Sequence, residues 1–357
     1  MAFKVIVAGL GPRGLDWARE VGSAPGYELA ACVDVDEAVL RRSASTLSVP
    51  PAQCFRSLDE AAGAFDCDAV IVAAPAERHA EVCGAALSRG LAALVEKPFT
   101  TSLGDAVSLV RLAERKGLPL VVGQNYRYMR SFRTVRRLVS EGALGPIGIV
   151  NCQYYRVPHE MAASLAALPH SVLWGVGVHH LDALRYVLGE KVTGVCADSF
   201  TLPWGSPPPG ASLRVMLNLE GGARAFYSAT YESSGHEFFE RGQEFYMRLV
   251  GERATLHVFQ RWLVLCERGR WPRLVRRGRR GTTEERVLLR QLERALESGS
   301  APEAGGRDNL QTMAVAEACV RSAAGGGWVN PQQLLDESEQ KLLDESEQTT
   351  ARAGGRR

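Results

Sequence analysis

Gly9-Leu10-Gly11-Pro12-Arg13-Gly14 is the stretch on which the fold turns. Before it, Phe3-Lys4-Val5-Ile6-Val7-Ala8 is a short apolar, β-branched run, the pattern of a buried strand. After it, Leu15 to Val21 carries apolar side chains at helical spacing. A strand, a tight glycine turn and a helix in succession form a phosphate-binding element. Gly9 permits the turn, Gly11 lets the backbone approach a pyrophosphate, and Gly14 allows close packing of the helix. The free N–H groups at the helix start favour bound phosphates, and Pro12 and Arg13 stand beside the glycines as candidate cofactor contacts. A second strand, Leu29 to Val33, runs into Asp34, which stands 20 residues past Gly14. That is where a dinucleotide fold places an acid on the adenosine ribose. A carboxylate there repels a 2′-phosphate, so NAD is expected over NADP.

Alternation continues outward from this unit. Helical patterns over Glu37 to Leu47, Leu58 to Ala64, His79 to Ser88 and Ser102 to Lys116 alternate with apolar strands at Ala69 to Ala74, Ala92 to Glu96 and Pro119 to Gly123. This predicts a doubly wound parallel α/β sheet over residues 1–125, the NAD-binding domain. Ligands on such sheets bind beyond the carboxyl ends of the strands. Asp34, Ala74-Pro75, Glu96-Lys97-Pro98 and Gln124-Asn125 all fall at such ends.

The pattern changes near residue 126. Helices are expected at Arg133 to Glu141 and Val176 to Leu188, with a strand at Ile147 to Tyr155. A Pro-rich turn at Pro207-Pro208-Pro209-Gly210 precedes strand-like runs at Leu213 to Leu219, Ala223 to Tyr231, Glu244 to Val250, Ala254 to Val258 and Trp262 to Cys266. Helices return at Glu284 to Ser298 and Asp308 to Ala324. Residues 126–330 therefore read as an α+β domain with one broad antiparallel sheet that could face the cofactor or a second subunit. Residues 331–357 hold two copies of a Leu-Leu-Asp-Glu-Ser-Glu-Gln unit, read as a solvated helix or a poorly ordered tail.

Composition narrows the function classes. With 46% apolar and 23% charged residues the chain has the make-up of a globular protein, and a net charge of +2 gives no general attraction to nucleic acid or membranes. No apolar run reaches membrane-spanning length, and the first strand begins too early for a signal peptide. Eight scattered cysteines without a C-x-x-C pair fit free thiols in a reducing cytoplasm and give no support for a metal site. The arginines at 268, 270, 273, 276, 277, 279 and 280 surround Trp271. They read as a solvated hairpin, with an anionic substrate group and a nucleic-acid patch as the alternatives.

Taken in order, Gly9 to Gly14, Asp34, Val72-Ala73-Ala74-Pro75 with His79, Glu96-Lys97-Pro98, Gly123-Gln124-Asn125-Tyr126-Arg127-Tyr128 and Gly177-Val178-His179-His180-Leu181-Asp182 resemble the Gfo/Idh/MocA family of NAD(P)-dependent oxidoreductases. The resemblance covers residues 3 to about 330. It implies hydride transfer between NAD and a hydroxyl or keto carbon of a sugar, cyclitol or sugar-derived molecule, and a homo-oligomer, dimer or tetramer, formed through the second domain's sheet. It also implies a cis peptide before Pro98, a place for His79 near the nicotinamide ribose, and cofactor contacts from Ala74, Pro75 and the Glu96-Lys97-Pro98 element.

Lys97, one of five lysines, can stabilise charge on the reacting oxygen and, unlike arginine, can lose a proton when desolvated. His179 is the candidate acid/base, because its ordinary pKa lies near neutrality. Asn125, Tyr126 and Arg127 are candidate substrate contacts along with Lys97 and His179. Many members carry an aspartate four residues before this histidine, where the present chain has Gly175. Asp182 is a possible substitute. The departure motivates one alternative, an NAD-binding sensor without turnover; an NAD-assisted lyase or hydrolase with no net redox change is a further one.

Overall fold

The computed structural model describes residues 2–157, 168–205, 210–234, 243–278 and 281–354, without the side chains of residues 243 and 346–354. The triple-proline turn, Arg279, Arg280 and the last three residues of the tail lie outside the described residues. The chain forms two compact units. One comprises Met1–Asn125, Thr282–Met313 and Glu337–Arg357; the other comprises Tyr126–Gly281 and Ala314–Asp336.

In the first unit six strands form a wholly parallel sheet. They are β1 (Phe3–Ala8), β2 (Tyr27–Val33), β3 (Cys54–Phe55), β4 (Ala69–Val72), β5 (Ala92–Val95) and β6 (Leu120–Val122), in the order β3-β2-β1-β4-β5-β6. The direction of winding reverses between β1 and β4. The connecting helices are α1 (Pro12–Ser23), α2 (Glu37–Leu47), α3 (Leu58–Ala64), α4 (His79–Ser88) and α5 (Leu103–Lys116). Side chains cap three of them: Asp36 accepts from Ala38 and Val39 N–H, Ser57 from Glu60 N–H, and Ser102 from Asp105 N–H. The strands are buried almost throughout, as a sheet covered on both faces requires.

Sequence order assigns residues 282–313 to the second domain, but they return to the first. The Tyr27 hydroxyl donates to the Leu289 carbonyl (2.6 Å), and Val122 N–H donates to the Ala304 carbonyl (2.7 Å).

The second unit is built on α6 (Arg130–Ser140), α7 (Val178–Leu188) and an eight-stranded sheet. Its strands are β7 (Ile147–Arg156), β8 (Val192–Phe200), β9 (Ser212–Leu219), β10 (Arg224–Thr230), β11 (Gln243–Gly251), β12 (Ala254–Phe259), β13 (Leu263–Glu267) and β14 (Arg273–Leu274). The order is β14-β13-β12-β11-β7-β10-β9-β8, antiparallel except for the parallel pairing of β7 with β10. β8 escapes the sequence pattern because Gly194 and Asp198 interrupt its apolar alternation. One face of the sheet is buried. The other exposes Ile149, Met216, Phe226 and Phe259, each at least 40% accessible.

Helix α8 (Glu284–Ser298) is followed by α9 (Gly306–Gly325) and α10 (Pro331–Gly354), the last running through both copies of the tail repeat. Leu334 and Leu335 of the first copy are buried, while Leu343 of the second is exposed. Among the described residues no helix is long and apolar enough to cross a membrane.

Candidate active site

At the carboxyl end of the parallel sheet the glycines are required by contact. Gly9 has φ +94°, and a Cβ on it would lie 2.4 Å from Ala74 N. A Cβ on Gly14 would lie 1.8 Å from the Gly9 carbonyl oxygen, so the third glycine lets α1 start against the turn itself. Gly11, the N-cap of α1, offers no capping side chain, and the space before it is open. The start of α1 therefore presents backbone dipole to an anion.

Asp34 closes the turn from the side. Its Oδ2 accepts from Leu10 N–H (2.8 Å) and its Oδ1 from Asp36 N–H (3.0 Å). Beside it lies a cavity of about 350 Å³ lined by residues that include Gly9, Asp34, Val35, Ala74, Pro75 and Arg78. A phosphate-binding turn, a fixed carboxylate and an adjoining cavity fit the two halves of a dinucleotide.

The Lys97–Pro98 peptide is cis. Glu96 is 5% exposed, and its Oε1 accepts from Arg13 Nη2 (2.6 Å), Arg13 Nε (3.1 Å) and Trp17 Nε1 (2.7 Å). Burial raises the Glu96 pKa, but Arg13, Lys97 and the hydrogen bonds outweigh it and hold the carboxyl below its usual range. Burial also lowers the Lys97 pKa, opposed by Glu96 and assisted by Arg13. The amine is thus brought nearer to the range in which it exchanges protons. Arg13 reaches Glu285 on α8 as well (3.2 Å), and Asn125 Nδ2 donates to the same carboxylate (3.2 Å). Arg13 and Glu96, expected as cofactor contacts, are committed to each other. They brace the start of α1 against the loop that carries Lys97.

Asn125 Oδ1 is buried without a partner, an acceptor left for a ligand. His79 is 2% exposed, with Nδ1 2.7 Å from the Pro98 carbonyl oxygen and Nε2 2.9 Å from that of Ala74. Burial pushes its pKa down, against the pull of the two carbonyls. His79 thus links the Ala74-Pro75 turn to the proline after Lys97.

In the second unit α7 follows a π-helical turn at Leu173–Gly177 that contains Gly175. Such turns interrupt regular helices and recur at functional sites. The His179 ring stacks on Tyr126, with centroids 4.1 Å apart and planes 4° from parallel. His180 is turned to the core, where Nδ1 meets the Tyr227 hydroxyl (2.9 Å) and burial lowers its pKa to about 3.

Arg127 departs from its expected role as an open substrate contact. It is 3% exposed, and its Nε and Nη2 each donate to one oxygen of Asp182 at 2.6 Å. Asp182 is held by this fork. Tyr126 remains a neutral donor, its pKa raised by burial to about 12.

Trp17 and Glu285 carry much of this architecture without a motif to announce them. Trp17 looks like an ordinary apolar position of α1, and Glu285 like first-turn acid on α8. Only the fold brings them to Glu96 and Asn125.

Comparison with known proteins follows the same division. The family model of the Gfo/Idh/MocA oxidoreductases, described as an NAD-binding Rossmann fold, matches residues 3–124, and that of the family's C-terminal domain matches residues 132–257. A D-apiose dehydrogenase of Paraburkholderia graminis is 27% identical over 88% of this chain and 85% of its own. An inositol 2-dehydrogenase of Saccharopolyspora erythraea is 28% identical over 91% of this chain and 94% of its own. In fold, the chain is similar to an Agrobacterium radiobacter oxidoreductase solved with NAD+, L-tartaric acid and magnesium. The TM-score is 0.83 at 22% identity, covering 94% of this chain and all of that one.

Proposed function

Because the chain belongs to the Gfo/Idh/MocA oxidoreductase family, we propose that it is an NAD-dependent dehydrogenase acting on a CH–OH carbon of a sugar, cyclitol or sugar-derived molecule. The observation that carries this reading is the convergence in the first unit. The glycine turn, the fixed Asp34 and the buried Glu96 that braces the Lys97 loop all stand at one edge of one sheet. Gly9, Gly11, Pro12 and Gly14 hold the pyrophosphate, Asp34 the adenosine ribose, and Ala74 with Pro75 the wall of the cavity. Asn125 Oδ1 accepts a hydrogen bond from the cofactor or substrate. Asp34 selects NAD over NADP, since its charge opposes a 2′-phosphate.

Bound nicotinamide supplies the hydride acceptor or donor. Lys97 steadies negative charge on the substrate oxygen as the C–H bond breaks, and His179 takes up the hydroxyl proton. Arg13, Glu96 and His79 act by positioning. The exposed apolar face of the eight-stranded sheet supports a homo-oligomer formed through that face. Eight free cysteines agree with a reducing cytoplasm.

Lys97→Ala is expected to lower kcat by about 10²–10³ while leaving NADH binding, read by fluorescence, nearly intact. A rate within a few-fold of wild type removes Lys97 from the chemistry. Gly175 and the committed Asp182 favour a second reading, an NAD-binding sensor. Tight NAD binding with no change in nicotinamide absorbance across a broad polyol and keto-sugar panel would select it.

A further inference from the structure

The second unit gathers an aromatic cluster around His179. Tyr126 stacks on His179, Tyr154 lies 5.1 Å from the His180 ring centroid, and Tyr231 lies 6.5 Å from Tyr154. One cation joins them. Arg156 ends β7 two residues beyond Tyr154, so both side chains leave the same face of the strand. Its carbonyl accepts from Ser233 N–H (3.0 Å), which fixes the backbone beneath it. Its side chain hydrogen-bonds Tyr154, and its charge reaches Tyr126, Tyr154 and Tyr231, lowering the pKa of each against the larger effect of burial.

Arg156 Nε is buried and has no hydrogen-bond partner, and none of the described carboxylates forms an ion pair with it. Arg127, a buried guanidinium of the same unit, shows the contrast: it is closed on Asp182. A half-buried arginine with an idle Nε–H beside tyrosine hydroxyls is costly unless something anionic completes it.

We propose that Arg156 is a specificity residue for a carboxylate, and that the substrate is a polyhydroxy acid, such as a uronate or aldonate, instead of a neutral sugar. This rests on the dehydrogenase reading above and narrows its substrate class. The guanidinium fork pairs with the planar carboxylate through two parallel hydrogen bonds, while the neutral phenols of Tyr126 and Tyr154 meet the hydroxyls. A single cation matches a monoanion; a phosphate dianion calls for a second.

The test measures binding, so it does not depend on turnover. D-glucuronate, D-galacturonate and D-gluconate, with D-glucose and D-galactose as neutral counterparts, are titrated calorimetrically into full-length protein saturated with NAD+. At least one acid is expected to bind roughly 10- to 100-fold more tightly than its neutral counterpart. Arg156→Gln abolishes that preference and leaves affinity for the neutral sugar unchanged, and Arg156→Lys restores part of it. Equal affinities in the wild type, no binding of any acid, or a preference that survives Arg156→Gln overturns the proposal. Where Arg156→Gln fails to fold, the loss of bidentate geometry in Arg156→Lys is read instead, as a weaker preference. Acids that bind without nicotinamide reduction would refute the dehydrogenase reading alone. Neutral sugars turned over with no advantage for acids would refute this inference alone.

Discussion

The cofactor edge of the parallel sheet and the histidine-bearing face of the eight-stranded sheet are both buried and polar, yet they are built in opposite ways. In the first, the glycine turn is backbone architecture. Gly9 and Gly14 are forced by main-chain atoms of Ala74 and Gly9, Asp34 is held by two peptide N–H groups, and His79 faces two carbonyls. The second is side-chain architecture. His179 and His180 of α7 meet Tyr126, Tyr154 and Tyr227 of other segments through ring contacts and a hydroxyl–imidazole bond. Backbone constructions tolerate almost no change at a few positions, whereas side-chain clusters spread their tolerance over many.

That contrast can be broken most decisively at the buried fork between Arg127 and Asp182. Asp182→Ala leaves a guanidinium uncompensated in the core and should cost about 3–5 kcal/mol in urea unfolding. A loss near 1 kcal/mol would mean that the face is less tightly built than its geometry indicates. At the cofactor edge, Gly14→Ala places a methyl group against a main-chain oxygen and should cost about 3 kcal/mol, with weakened NADH binding. Unchanged affinity would show that the turn yields. Trp17→Phe keeps the ring and removes one donor to a buried carboxylate, worth about 2 kcal/mol by thermal or urea unfolding.

The smallest effect is one of pH. Burial holds His180 at about 3 when folded, so the unfolded chain binds its proton more readily. Its contribution is complete above the ordinary value of 6.5 and is lost progressively as pH falls from there toward 3. His180→Phe should therefore flatten the decline in stability between pH 7 and 5. His79 and His170, whose pKa values are also lowered, leave a residual slope. Glu96 adds its loss separately: held below 4.5 when folded, it stabilises above that pH and ceases to do so as pH drops through its lowered value. An unaltered slope in the variant would assign the acid sensitivity elsewhere.

Legibility in the sequence follows the same line. The glycine turn, Asp34 and the strand ends are local patterns, so the parallel sheet and its binding edge can be read from spacing alone. The family resemblance brings Lys97 and His179 to attention. It does not reveal that Arg13 and Glu96 satisfy each other, that Arg127 is closed on Asp182, or that Trp17 and Glu285 complete the brace. Those pairings join residues 55 to 272 positions apart, a separation no local periodicity encodes. The parallel β7–β10 pair is hidden for a related reason: it spans the intervening helix and two strands, where a run of strands suggests only hairpins.

The two N–H groups that grip Asp34 also bear on how fast a nucleotide is captured. A flexible carboxylate must find its rotamer and shed water in the encounter, and both demands slow productive docking. Here the chain has already frozen that rotamer and stripped solvent from one side of each oxygen. On the proposed cofactor role, the outward lone pairs stand ready for the arriving sugar hydroxyls.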